Sequence, residues 1–512
     1  MTNAGSVPAM STTAPLLYEV YTRQWLSSLS RRRGREIDLW GVPEDELNGW
    51  AARGFTHIWL MGLWPTGAKS RQEALHHADL RRAYDDALPG WTDADVGGSP
   101  YAISAYHVPP ALGGDDALTA FRKRLAERGL KLVLDFVPNH TGLDHAWAIQ
   151  RPHLYIGAPT DAGVVIPEAT RVKGAWGERL IAHGKDPYFA GWTDTLQIDH
   201  RRPEARRAMI EQLEKVAARC DGVRCDMAML VLRDVFAKTW AHVPTMNAQG
   251  QAIDAVDGEF WAEAIAAVRA RRPDFLFLAE AYWDLEDRLV ELGFDHVYDK
   301  KLYDLVMHQD RGAARHLRAL GPRNARRAHF LENHDEPRAH ARLPLSAHRG
   351  AALLTLALPG LRLLHDGQLE GRRRFARIQL SRRLREEPDP AIHELYATLL
   401  AALAGTAVSQ GTGVLLDVVA AWPGNESHED LTVVQWQRDD DDTACDLVVV
   451  NHAAHRAQGY ARPRARGLAG GRWQLQDVLG PERHERHGDE LVERGLYLDV
   501  AEHAAQLFRC VR

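Results

Sequence analysis

Short apolar runs alternate along the first four hundred positions with stretches whose apolar residues recur at helical spacing. THIWLMGLW from Thr56, LKLVLDFVPNH from Leu130, DGVRCDM from Asp221, DFLFLAEAYW from Asp274, ARRAHFLENHD from Ala325 and GLRLLHDGQ from Gly360 predict strands. Amphipathic stretches over Asp116–Gly129 and Pro203–Cys220 predict helices between them. This alternation predicts a parallel sheet covered by helices, and near-continuous apolar strands suit a sheet buried on both faces. Between Val137 and Pro203 the pattern is irregular and rich in Gly, Pro, His and aromatic residues. A connection that long after a strand predicts an inserted subdomain over 138–202 within an α/β domain spanning 14–405. After Gly405 the texture changes. LTVVQWQR from Leu431 and CDLVVVNH from Cys445 flank the charged turn DDDDTA, and WQLQDVLG, ELVERGLYLDV and AEHAAQLFRCV continue the strand-like pattern, predicting a separate β domain over 406–512.

Charge inside one apolar run raises the question of function. In DGVRCDMAML, alternation along a strand puts Arg224 and Asp226 on one face and Val223, Cys225 and Met227 on the other. Alone, the pair reads equally as a structural ion pair. Yet four predicted strands end in polar clusters: Asp135 with Asn139 and His140, Arg224 with Asp226, Glu280 with Tyr282 and Trp283, and Asn333 with His334 and Asp335. In a closed parallel barrel such ends converge on an active site.

Composition narrows the class. The 512 residues, 45% hydrophobic, can bury a large core, and 63 basic against 69 acidic residues give a net charge of −6, too mild to indicate a nucleic-acid or membrane partner. The start, MTNAGSVPAMSTTAPL, lacks a basic segment followed by an apolar one, and no run of uncharged apolar residues is long enough to span a bilayer, so the expectation is a cytoplasmic, soluble protein. Cys220, Cys225, Cys445 and Cys510 lack zinc-site spacing and predict reduced, buried thiols. The run Asp439 to Asp442 reads as a solvated hairpin tip rather than a metal site. GLWPTGAKS is no phosphate loop, because Ala68 separates Gly67 from Lys69.

The quartet DFVPNH, GVRCD, AEAYW and FLENHD resembles, in order and spacing, the four signature regions of the alpha-amylase superfamily of retaining glycoside hydrolases, with 91 residues from Asp135 to Asp226, 54 to Glu280 and 55 to Asp335. GSPYAISAYHV from Gly98 and PGLRLLHDGQ extend the resemblance over nearly the whole chain. It implies a (β/α)8 TIM barrel with an inserted loop subdomain after strand 3 and a C-terminal antiparallel β-sandwich. It implies Asp226 as nucleophile, Glu280 as general acid/base and Asp335 as transition-state stabiliser. Tyr101, His140, Arg224, His334, Asp135, Trp283 and Arg338 are the implied substrate-binding positions. The chemistry agrees, since retaining cleavage needs one ionised carboxylate and one protonated carboxyl. Arg224 would hold Asp226 ionised, and the apolar run before Glu280 would raise its pKa.

Departures narrow the implied substrate. Ala105-Tyr106 stands where the family often has Asp-Tyr, and Met229-Leu230 where many amylases have Lys-His. The expectation is a hydrolase of α-glucosidic bonds in α-glucans or maltooligosaccharides. The alternatives are a glucosyl or maltosyl transferase or phosphorylase on short α-glucosides, and an inactive carbohydrate-binding relative. Many relatives bridge subdomain and barrel with calcium. Asn139 is present, but Leu230 replaces the family's His and the acidic residues of 138–202 show no calcium-loop spacing, so no cofactor is expected.

Overall fold

The computed structural model describes residues 14–174, 177–245, 251, 253–408 and 410–512. The amino-terminal segment read above for a targeting signal lies largely outside the described residues. Eight parallel strands close a barrel: β1 (Leu16–Tyr21), β2 (His57–Met61), β3 (Lys131–Phe136), β4 (Gly222–Cys225), β5 (Leu276–Ala279), β6 (His296–Tyr298), β7 (Arg327–Phe330) and β8 (Leu361–His365). They follow one another around the ring in chain order, with β8 pairing back to β1. Six coincide with the predicted runs, while β1 and the three-residue β6 were not anticipated. The strands are buried along their length because helices cover the outside and side chains fill the inside. Pro203–Ala217, with Pro203 opening its first turn, buries Ala205, Ala208, Met209, Leu213 and Val216, one helical stripe.

Between β3 and that helix, the inserted segment forms two small antiparallel sheets. His140–Gly142 pairs with Thr195–Gln197, and Gly177–Ala182 runs between Gly157–Pro159 and Ala169–Gly174. A second excursion was not anticipated. After β2, helices Ala68–His76 and Ala78–Ala87 form a hairpin whose Ala74, Leu75, Tyr84 and Ala87 make a small apolar cluster with Leu380, from the segment after β8.

Helix Pro390–Ala404 leads into the C-terminal β region. Its six-stranded antiparallel sheet contains Leu431–Gln437 paired to Ala444–Asn451, and a three-stranded sheet contains Ala457–Ala461 and Leu496–Val500. Period-two alternation explains the unbroken apolar run there: Leu447 and Val449 enter the core of the β region, while Val448 and Val450 join the barrel's core. Trp436 Nε1 donates to Ala357 O at 2.7 Å across the same junction. One expectation is corrected. Part of ELVERGLYLDV forms the short helix Gly488–Glu493, with Asp489 and Glu490 in its first turn, and the strand begins only at Leu496. The aspartate run is a turn, with Asp441 accepting from Thr443 and Asp442 paired to Arg466. All four cysteines are free and buried, and among the described residues no helix is long and apolar enough to cross a membrane.

Candidate active site

Register sets the floor of the site. Arg224 on β4 lies beside Asp135 on β3 and Leu278 on β5, and its side chain is fully buried among the rings of Tyr101, Trp59 and Tyr298, at 5.1, 5.4 and 5.7 Å. Its guanidinium divides between two carboxyl groups. Nη1 donates to Asp226 Oδ1 at 2.7 Å, and Nη2 lies 2.7 Å from Glu280 Oε2. Glu280 Oε2 also accepts the Met227 N–H at 2.7 Å, and Oε1 accepts from Tyr282 Oη at 2.7 Å. Met227 aims its amide inward by adopting φ 41°, ψ 50°, a left-handed conformation that costs a non-glycine residue about 1–3 kcal/mol.

A second layer holds His334. Its Nδ1 meets Glu19 Oε1 at 2.5 Å, and its Nε2 faces Tyr101 Oη at 2.8 Å and Asp335 Oδ2 at 2.9 Å. His365 reaches the other Glu19 oxygen at 3.3 Å. Asp135 accepts from Trp59 Nε1 at 3.1 Å and from the Gly62 N–H at 2.8 Å.

The cations Arg224 and His334 thus face the carboxyl groups of Glu19, Asp135, Asp226, Glu280 and Asp335. Burial disfavours a charged His334, yet Asp335 and Glu19 hold its pKa well above the usual histidine value. Burial pushes Asp335 upward, but the His334 charge and hydrogen bond outweigh it and leave the group below the ordinary aspartate value. Burial raises Glu280 to about 7 against the Arg224 charge, with Asp226 and Asp335 adding to the rise. It raises Asp135 to about 7 as well, against Arg224 and the Gly62 N–H. Asp226 differs from expectation: burial lifts it above the ordinary value despite Arg224, whose charge is shared with Glu280. A carboxyl that keeps its proton to about pH 7 beside a second carboxylate can donate a proton while its neighbour attacks or stabilises a cation.

Tyr101, His140, Asp226, Glu280 and Asp335 line one cleft of about 700 Å³. Burial lowers His140 to about 4, so its imidazole is neutral there. Arg224, His334 and Asp135 stand behind the lining. Arg338 is also buried behind it, bonded to Glu332 Oε2 at 2.8 Å and to Asp366 O at 2.9 Å. Trp283 lies outside the lining and meets the exposed Tyr188 ring edge-on at 5.0 Å. Sequence reasoning missed Glu19, Tyr282's hydroxyl, Met227, Phe189 and Trp192. Glu19 carried a usable signal, a lone acid inside the apolar run LLYEVY, the same anomaly that marked Arg224.

The calcium-bearing corner of many relatives is built differently here. Asn139 O, Asn139 Oδ1 and Ile198 O converge on Gln197 Nε2 at 2.8, 2.9 and 3.1 Å. A hydrogen-bond donor sits where three carbonyl oxygens meet. Asp199 is spent on Arg201, and among the described residues no three His, Cys, Asp or Glu side chains are grouped to hold a metal. This donor set does not fit calcium, which takes six to eight oxygen ligands.

The alpha-amylase catalytic-domain family model matches residues 54–158. Alpha-amylase 3 of Dictyoglomus thermophilum is 22% identical over 375 residues, 69% of this chain and 63% of that protein. The alpha-1,4-glucan:maltose-1-phosphate maltosyltransferase of Rhodospirillum rubrum is 24% identical over 54% of this chain and 34% of its own length. The chain therefore spans less than two thirds of these relatives. An alpha-amylase structure from Lactobacillus plantarum superposes with a TM-score of 0.64 at 19% identity, covering 97% of this chain and 98% of the other, a likeness of fold. A closed barrel, a family model matching residues 54–158 and four strand-end clusters in signature order all liken this chain to the alpha-amylase superfamily.

Proposed function

We propose that this protein hydrolyses α-glucosidic bonds in α-glucans or maltooligosaccharides with retention of configuration. Asp226 is the nucleophile, Glu280 the general acid/base and Asp335 the stabiliser of the oxocarbenium-like transition state. One observation carries the reading: the Arg224 guanidinium binds Asp226 and Glu280 at 2.7 Å each. Tethered to neighbouring nitrogens, the two carboxyl groups sit close together, which favours direct attack over a mechanism that keeps room for a water. Arg224 grips Asp226 Oδ1, so Oδ2 attacks the anomeric carbon and forms the glycosyl ester. Glu280 Oε2 faces two donors, so its proton belongs on Oε1. There the Tyr282 hydroxyl can rotate to accept it, until the glycosidic oxygen takes its place. That oxygen departs with the proton, and Glu280 then removes a proton from the incoming water.

Transfer to a sugar acceptor is the second reading. Met227 and Tyr282 adjoin Glu280 and Phe189 lines the same cleft, giving apolar surface suited to a sugar ring, and maltosyltransferases are among the relatives. Incubation with maltotetraose tests both. Proton NMR of the first product is expected to show the α-anomer, and chromatography is expected to show products shorter than the substrate. A β-anomer first would overturn retention, longer products would establish transfer, and no product would leave only a binding role.

Calcium has no place in this reading, since Gln197 fills the carbonyl cluster at Asn139. Dialysis against EDTA is expected to leave activity and melting temperature unchanged. A collapse of both that calcium alone restores would overturn it.

A further inference from the structure

The helical hairpin after β2 has no part in the chemistry above, yet its Glu73, Ala74, His77 and Leu80 line the same cleft as Asp226 and Glu280. Both of its flanks are tied down. Toward the inserted subdomain, Ser70 Oγ donates to Asp194 O at 2.9 Å and the Lys69 N–H to Asp144 Oδ2 at 2.8 Å. Toward the segment after β8, the Gly97 N–H donates to Gln379 O at 2.7 Å, and Arg374 Nη1 to Asp86 O at 2.6 Å. Leu380 completes the hairpin's apolar cluster. Packing beneath the hairpin is tight: Gly98, at φ 85°, leaves only 3.1 Å between an added Cβ and the Arg71 backbone. Subdomain, hairpin and β8 segment therefore form one continuous wall.

The ring order fixes which end of the substrate meets this wall. Glu280 protonates the leaving oxygen, so the leaving portion lies over β5, beside Tyr282. The hairpin after β2 and the segment after β8 flank β1, on the opposite side of the ring. The portion that becomes bonded to Asp226 points toward them. In an α-1,4-glucan this portion runs toward the non-reducing end.

We infer that the hairpin closes the glycone end of the cleft and that Glu73, His77 and Asp194 form a binding site for the hydroxyls of a terminal, non-reducing glucosyl unit, so that cleavage starts from chain ends. Carboxylates and an imidazole at the end of a pocket accept and donate the hydrogen bonds that orient a sugar's hydroxyl groups. Burial raises Asp194 to about 6, with Glu73 adding to the rise, consistent with a carboxyl shielded from bulk water beside the cleft. Glu73 and His77 are exposed, so they can meet a ligand without repacking.

This inference rests on the proposed function, and one comparison separates their failures. The probes are 4-nitrophenyl maltoheptaoside and the same compound with its terminal 4- and 6-hydroxyls tied in a benzylidene acetal. The free compound is expected to be cut to short products. The blocked one should be cut about a hundredfold more slowly or less, as a site built around hydroxyl groups rejects analogues lacking them. Glu73→Ala with His77→Ala should raise KM for maltotriose about tenfold, the loss of roughly one good hydrogen bond to a charged group. Equal rates on free and blocked compounds, or an unchanged KM, would overturn the closed end. Failure to cut either compound would instead overturn the proposed hydrolysis, and this site with it.

Discussion

Asp226→Asn is expected to reduce kcat on maltooligosaccharides by about four orders of magnitude or more, the scale seen when a covalent nucleophile is removed. The amide oxygen can still accept the Arg224 Nη1–H bond that Asp226 Oδ1 accepts at 2.7 Å, so the site's shape should survive. What disappears is the charge and the oxygen that forms the ester. Glu280, Asp335, Asp135 and Glu19 and the cleft remain, so binding should persist, with the dissociation constant for a maltooligosaccharide changed severalfold at most. Steady-state rates with isothermal titration check both halves. A variant keeping a tenth of parental kcat would show that Asp226 is not the nucleophile.

Glu280→Gln is expected to separate substrates by leaving group. An α-glucosyl fluoride departs with little protonation, so its first step should be nearly spared, while maltooligosaccharides should slow by about two to four orders of magnitude. The pH profile gives an independent readout. Because burial holds Glu280 protonated up to about 7, the parent's rate on natural substrates should fall as pH rises through about 7, and this limb should vanish in the variant. The acid limb should lie above the ordinary aspartate value, because Asp226 is raised too. Stability carries the same sign. The folded chain binds the Glu280 proton more tightly than the unfolded chain, whose ordinary value is 4.5, so stability is lost as pH rises from there through about 7. The Gln variant should therefore melt above the parent at pH 8, with the gap closing by pH 4. Equal losses on fluoride and natural substrates would remove Glu280 from the acid role.

The barrel was legible because six of its strands lie in apolar runs, four of them ending in polar clusters, and order and spacing did the rest. β6 hid because three residues leave no periodicity to read. β1 hid because Glu19 breaks its apolar run, although that break is itself a trace of the His334 network. The hairpin after β2 hid for another reason: RRAYDDALPG reads as an ordinary surface helix, and nothing local tells that its apolar partner, Leu380, comes from three hundred residues away. The carboxylates could be named from their strand ends. The sharing of one guanidinium between Asp226 and Glu280, and the burial that raises both groups, depend on packing between β4 and β5 that no single run encodes.

The closure inferred for the wall after β2 would also govern traffic. A cleft with one mouth takes in the chain end and lets out both products by the same route. The leaving portion has to withdraw before water can reach the ester, and the short sugar released from Asp226 leaves last. A polymer cannot be drawn onward through the site after a cut. A closed end therefore predicts full dissociation after each cut, with the next falling on any chain in solution, which is distributive action.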